Sequence, residues 1–455
     1  MPLHIRTDLT PSNLRPDVLR LFELSARKIQ SLNRTWKPSQ GTPVFTRAGR
    51  YTSRGWTEWT QGFQYGACLL QFDAVGGEEF LELGRSGTVE HMATHVSHVG
   101  VHDHGFNNVS TYGNLRRLMR EGRIPHDQES MNFYELALKA SGAVQAARWT
   151  ELPRGQGFIY SFNGPHSLFI DTMRSLRSLA IAHQLGHPLM AERDRRISLL
   201  HRLVQHALTT ADHAVYFGQG RDAYDVPGRV AHESIFNLND GSYRCPNSQQ
   251  GYSPFTTWTR GLAWALLGFA EQLEFLSQWD EPEIVTPAVL RRFEQTAMAA
   301  AERYLEDCCT DGIPVWDTGA PQLHRLGAYA HRASDPYNAW EPVDSSAAAI
   351  AAQGFLVLGR HLIAKRRLAI GRRYRAAGLT IARTLFREPY LSVQDKHQGL
   401  ILHSIYHRPN GWDYVAKKQQ IPNGESSMWG DYHARELGLL ILREAEGKHA
   451  LRFWA

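Results

Sequence analysis

The sequence predicts an all-α protein, a closed ring of six helical hairpins or (α/α)6 barrel, on three observations. Apolar residues recur at spacings of three and four along the whole chain, in twelve separable stretches. No βα alternation appears, although short β-like pieces such as GFIYSF at 157–162 occur in the gaps. Self-similarity at a fixed period, the mark of an open helical solenoid, is also missing.

The twelve stretches are 16–32, 57–73, 76–92, 107–121, 128–147, 167–186, 191–214, 258–277, 286–306, 344–363, 367–386 and 430–446. Two have readable starts. Asp344-Ser345-Ser346 supplies capping oxygens before AAAIAAQGFLVLG, and Thr286-Pro287 offers a cap followed by a first-turn proline. The longer connections, near 33–56, 148–166, 215–257, 307–343 and 387–429, are rich in Gly, Pro, Asn, Asp, Tyr and Trp. In a ring of hairpins such loops gather at the helix ends, where a pocket forms. The expected organisation is one domain over 1–455, with residues 1–15 as an N-terminal extension.

Composition narrows the partners. The formal charge of +5 is small for 455 residues, and acidic and basic residues are interspersed. The densest basic stretch, Lys365-Arg366-Arg367 with Arg372, Arg373 and Arg375, lacks interleaved aromatics and reads as a solvated helix surface rather than a nucleic-acid site. No run approaches the roughly 18 uninterrupted apolar residues of a membrane span. The start, MPLHIRTDLTPSNLRPDV, lacks the apolar centre of a secretory signal. The expectation is a soluble, cytoplasmic protein, monomer or homodimer, with no membrane or nucleic-acid partner. Cys68, Cys245, Cys308 and Cys309 show neither metal spacing nor a disulfide framework.

Candidate functional residues cluster at predicted helix starts: Trp56, Trp59, Phe63 and Tyr65; His102, Asp103, His104 and Phe106; His166 and Asp171; His232, Gln250, Trp258, Arg260 and Trp264; Trp429, Asp431 and Tyr432. One end of the barrel is therefore expected to be polar and aromatic. That mixture suits a sugar, whose apolar faces stack on rings while its hydroxyls need polar partners.

Asp103 sits in a run holding His91, His95, His98, His102 and His104, which invites a metal reading. The spacing lacks HExxH and an acidic ligand at helical separation, so no metal is expected. Helix capping is the bland alternative for Asp103. Asp171 lies inside an apolar run, SLFIDTM, where an ionised carboxylate is costly; it should be paired or have a raised pKa, as a general acid needs. A cap, or a buried partner for Arg174, stands equally open. In Thr257-Trp258-Thr259-Arg260-Gly261-Leu262-Ala263-Trp264, Gly261 permits a close approach and Arg260 offers a planar fork for a carboxylate, or a structural cation–π contact. His232 and Gln250 lie in or near the polar loop SYRCPNSQQGYSP.

These motifs resemble those of the unsaturated glucuronyl hydrolases, glycoside hydrolase family 88, and of the related family 105 unsaturated rhamnogalacturonyl hydrolases. Trp59-Thr60-Gln61-Gly62-Phe63, His102-Asp103-His104-Gly105-Phe106, Phe169-Ile170-Asp171-Thr172-Met173, Trp258-Thr259-Arg260-Gly261-Leu262-Ala263-Trp264, Asp344-Ser345-Ser346-Ala347-Ala348-Ala349 and Trp429-Gly430-Asp431-Tyr432 follow in the family's order. The resemblance implies removal of a 4,5-unsaturated uronic acid from the non-reducing end of lyase-generated oligosaccharides, by hydration of its vinyl ether. It assigns Asp171 the proton and Asp103 the ring hydroxyls and a charge that keeps Asp171 protonated. Arg260, Gln250 and His232 would hold the carboxylate; Trp59 and Trp264 would line the sugar, with His102, Trp258 and Trp429 beside them. No cofactor is implied.

The chain departs from the family pattern at Arg174-Ser175, at Gln64 and in extra loop near 307–343, which bears on the leaving sugar. Around Trp412, Lys417, Lys418 and Asn423 the competing readings are a second-sugar contact and solvated lysines. A hydrolase of saturated uronides and an (α/α)6 epimerase, using His232 or His102 as base, are the alternative functions.

Overall fold

The computed structural model describes residues 2–55 and 58–455, so Trp56, one of the candidate aromatics, lies outside the described residues. Each of the twelve predicted stretches holds a helix. They are α1 (Pro11–Thr35), α2 (Gln61–Val75), α3 (Glu78–His91), α4 (His104–Asn108, a π-helical turn Val109–Gly113, then Asn114–Arg120) and α5 (Gln128–Ala147). There follow α6 (Thr172–Ser175 continued by Arg177–Gln184), α7 (Leu199–His213), α8 (Thr259–Leu276), α9 (Pro287–Asp307), α10 (Ser345–Ala364), α11 (Leu368–Leu385) and α12 (Met428–Ala445).

The even-numbered helices form the inner ring. α2 packs on α4, α4 on α6, α6 on α8, α8 on α10, α10 on α12 and α12 back on α2, which closes the barrel. Their composition explains the placement: every residue of α8 except Glu271 is buried, and a helix apolar all round is stable only inside. α10 has the length and apolarity to cross a membrane, yet most of it is buried in this ring. The odd-numbered helices bury one stripe each, α11 against α10 and α9 against α8 for example. They return the chain, so all six inner helices start at the same end.

That end is tightly packed. A Cβ on Gly105 of α4 would lie 2.2 Å from the Ser175 carbonyl oxygen of α6, and one on Gly62 of α2 would lie 2.4 Å from the Asn107 backbone of α4. Only glycine lets these backbones meet. The expected caps are present: Asp344 accepts the Ser346 N–H at 3.0 Å, and Thr286 that of Val289 at 3.2 Å.

Two expectations need correction. The stretch 167–186 opens as a strand, and 191–214 opens within a hairpin. Four small antiparallel sheets join β1 (Phe45–Arg47) to β2 (Arg50–Thr52), β3 (Trp149–Glu151) to β4 (Gly157–Ile159), and β6 (Leu189–Ala191) to β7 (Arg195–Ile197). The fourth has order β5 (Ser167–Phe169), β8 (Glu233–Phe236), β9 (Tyr243–Asn247). These strands are three to five residues long, too short to show a clear alternation, and β5 gains its hydrogen bonds from β8, far along the chain. Nor are the first residues an extension: Leu3 is buried, His4 donates its N–H to Thr310 at 2.9 Å, and α1 begins at Pro11 behind the Thr10 cap.

At the opposite end, Phe453 and Trp454 pack on Phe275. Beneath them Arg174 pairs with Glu271 and, at 2.6 Å, with Glu436, while Arg177 stands 3.8 Å from Glu436.

Candidate active site

A cavity of about 380 Å³ opens where the inner helices start, large enough for a small saccharide. Trp59 reaches it from just before α2, His102 and Asp103 from before α4, Asp171 from before α6, and Trp258, Arg260 and Trp264 from the start of α8. Gln250 joins them from the preceding loop. Helix N-termini carry partial positive charge and unsatisfied N–H groups, so this end is pre-set to receive an anion.

His232 and Trp429, expected to bind substrate directly, do not line the cavity. His232 stands behind it, packed on Phe169 and Trp258, and its Nδ1 accepts the N–H groups of Gln249 at 2.9 Å and Gln250 at 3.3 Å. Burial lowers its pKa to about 4, which suits this neutral acceptor role. Trp429 is fully buried; it stacks on Trp59 at 5.0 Å and donates Nε1–H to Ser346.

Three titratable side chains, His102, Asp103 and Asp171, form one cluster in the lining. His102 Nε2 lies 3.1 Å from Asp171 Oδ1 and 3.7 Å from Asp103 Oδ1. Nε2 faces two carboxylates, which accept when ionised, so it is the nitrogen suited to donate, while Nδ1 is buried without a partner among the described residues. The ring is held against Phe162 and the edge of Phe169. β5 and the Ile170 N–H, which bonds His232 at 3.0 Å, fix the chain just before Asp171. Neither carboxylate caps the helix it precedes, which removes the capping reading for both, and Arg174, the other partner open to Asp171, pairs with Glu271 and Glu436 instead.

The electrostatics reverse one expectation. Burial pushes the Asp171 carboxyl up, but the charge and hydrogen bond of His102, with His232 and Arg260 behind, overcome it and hold Asp171 below its ordinary value. Asp103 is the carboxyl held above its ordinary value, by burial and by the charge of Asp171 against the pull of His102. Burial pulls His102 down, and the two carboxylates more than restore it, leaving it raised.

Arg260 is also not the open fork expected of it. Its Nη1 donates to Asp344 at 3.0 Å and to the Ile405 carbonyl; Nη2 donates to Gln250 Oε1 and to the Tyr406 carbonyl, each at 2.8 Å. The indoles of Trp258 and Trp429 lie 4.6 and 4.9 Å from its guanidinium carbon. The cation–π alternative therefore holds, with Trp429 rather than Trp264 as the second ring. One guanidinium ties together the loop at 250, the start of α10 and the loop at 405. With Oε1 of Gln250 taken by Arg260, its amide nitrogen is the group left for a ligand. A Cβ at Gly261 would strike the Trp258 ring at 2.7 Å, so the close approach there is by a side chain, not a backbone.

Residues not singled out also line the cavity: Phe162, Glu58, Gln249, and Tyr406, His407 and Asn410 from one loop. Asp413 holds that loop by accepting the N–H groups of Tyr406 and His407. The loop has the same aromatic, imidazole and amide content as the recognised ones; that was the available signal. Trp412 lines the cavity, whereas Lys417, Lys418 and Asn423 do not. Nor do Arg174, Ser175, Gln64 or any residue of 307–343, so the departures in sequence leave the lining untouched. The five histidines diverge: His91 stacks on Tyr65, His95 bonds Gln61 and Asn107, His104 bonds Ser141, His98 reaches the cavity, and His102 serves the carboxylates. Asp431 is structural, accepting the N–H groups of Leu400 and Ile401 and the Tyr51 hydroxyl.

No family model matches the chain. An unsaturated glucuronyl hydrolase of Bacillus sp. (strain GL1) is 26% identical over 420 residues, covering 88% of this chain and 90% of that one. An unsaturated chondroitin disaccharide hydrolase of Streptococcus pyogenes serotype M1 is 24% identical over 448 residues, covering 94% and 92%. The crystal structure of the unsaturated glucuronyl hydrolase from Bacillus sp. GL1 matches with a TM-score of 0.71 at 21% identity, over 97% of this chain and 98% of that one. In sequence and in fold, along nearly its whole length, the chain is a relative of the unsaturated glucuronyl hydrolases.

Proposed function

We propose that this protein is a glycoside hydrolase that removes a 4,5-unsaturated uronic acid from the non-reducing end of an oligosaccharide by hydrating its vinyl ether. The observation that carries this reading is the His102 nitrogen held between Asp171 and Asp103 at the base of an aromatic cavity. The names of the two relatives, one for unsaturated glucuronides and one for unsaturated chondroitin disaccharides, point the same way.

The uronate carboxylate enters an end that six helix N-termini make favourable for an anion. The Gln250 amide, oriented by Arg260, is its donor, and Trp59 and Trp264 bound the ring. The negative charge of the substrate opposes a second one on Asp171, so the proton held at His102 Nε2 passes to Asp171. Asp171 then gives it to C4 of the C4=C5 bond, and positive charge develops on C5 and the ring oxygen. Water adds at C5 and returns a proton to Asp171. The C5 hemiketal opens, which turns C1 into a hemiacetal that expels the second sugar as an alcohol.

The alternatives fit less well. Direct hydrolysis of a saturated uronide would use the two carboxyl groups as a free pair at the anomeric carbon, whereas Asp103 and Asp171 both face the His102 nitrogen. An epimerase needs a free histidine base; His232 lies behind the wall and His102 is engaged by the carboxylates. The test is the ultraviolet band of the conjugated C4=C5 bond, followed with lyase-generated disaccharides. Wild type should bleach it, and Asp171→Asn should lower kcat by about 10²–10⁴. Activity on saturated glucuronides with no effect on the band would overturn the reading.

A further inference from the structure

The cavity rim bears on the sugar attached to the uronide. Arg260 is the one lysine or arginine among the lining residues; it is buried, and buried Asp344 meets its charge. The exposed charge on the lining is Glu58, in the helical turn Glu58–Thr60 just before α2, with no hydrogen bond or ion pair to any described residue. The same lining includes His98, Gln249, Asn410 and Trp412. Arg54, beside Trp412, donates to that residue's carbonyl and is not part of the lining.

Resting on the hydration reading, we infer that the second sugar carries no sulfate, and that Glu58 is the residue that enforces this by repelling a sulfate at the cavity rim. A neutral hexose or N-acetylhexosamine meets amide, imidazole and indole groups there and no opposing charge. A sulfated one brings a fixed anion toward an unpaired carboxylate with no lining cation free to offset it.

Three unsaturated disaccharides sharing one uronide and one second sugar, unsulfated, 4-sulfated and 6-sulfated, test this. At low salt the wild type should favour the unsulfated substrate about tenfold in kcat/KM, and salt near 0.5 M should narrow the gap by screening, on the order expected for one like-charge pair near the surface. Glu58→Gln should bring the ratio close to one, and Glu58→Lys should invert it. Glu58 is exposed, so neither substitution disturbs packing. Equal or better turnover of a sulfated substrate by the wild type, or a ratio unmoved by both substitutions, overturns the inference. Failure on all three substrates instead overturns the hydration reading.

Discussion

The two ends of the barrel both collect charge, but they balance it differently. At the closed end Arg174 and Arg177 face Glu271 and Glu436, two cations for two anions, around a residual space of about 30 Å³. Glu436, pushed up by burial, is held below its ordinary value by both arginines. At the open end one imidazole serves two carboxylates beside a cavity more than ten times larger. A matched set of charges has no reason to exchange protons. A set short of one positive charge has every reason to share one, and in the proposed mechanism its proton moves when the substrate's anion arrives.

The sharpest test removes one partner at the closed end. Glu436→Gln leaves buried Arg174 under-compensated and should cost about 3–5 kcal/mol of stability, read by chemical denaturation, with kcat of the folded fraction unchanged. Lost activity at full stability would erase the distinction between the ends. Next is Arg260→Lys, which crosses it: one ammonium cannot serve Asp344, Gln250 and two carbonyls at once. A fall of about 10–100-fold in kcat/KM, with KM raised, is expected from misplaced loops; near-wild-type kinetics would show that the loops hold themselves.

His102→Gln keeps a donor near Asp171 but no titratable proton. His102 is raised, so in the wild type it keeps its proton above the ordinary imidazole value and loses it as pH rises further. The alkaline limb of kcat/KM should therefore move to lower pH in the variant, where a carboxyl alone sets it. An unchanged limb would detach His102 from the proton. The smallest effect belongs to neither end: Thr286→Ala, a lost cap on outer helix α9, should cost about 1 kcal/mol in denaturation and leave the pH profile alone.

Helices were legible in sequence because burial on one stripe or all round leaves a periodic record. The strands at 167–169 and 189–197 were not: the first pairs with 233–235, far along the chain, and the second is a hairpin of three-residue strands too short to show an alternation. In the site, Asp171 stood out because a carboxylate among Phe169, Ile170 and Met173 is costly. Its pKa direction was hidden: the nitrogen that sets it comes from His102, 69 residues earlier. The same distance effect hid the true partners of Arg260, two of which are backbone carbonyls and carry no side-chain signature. His232 and Trp429 were placed in the lining but stand one layer behind it, because sequence orders residues along the chain and not by depth.

The π-helical turn at Val109–Gly113 gives α4 an orientation that its two halves would not otherwise share. An α-helix rotates about 100° per residue, and a π-turn absorbs one extra residue without ending the helix. Everything before Val109 is thereby rotated relative to everything after it. The rear half of α4 can satisfy the packing of the barrel wall while the front half points Asp103, Phe106 and Asn107 at the cavity. Removing one residue between 109 and 113 would leave the chain almost the same length and swing that front edge by about a quarter turn. The direction of the Asp103 carboxylate is thus set by a spacer in the wall, several residues away.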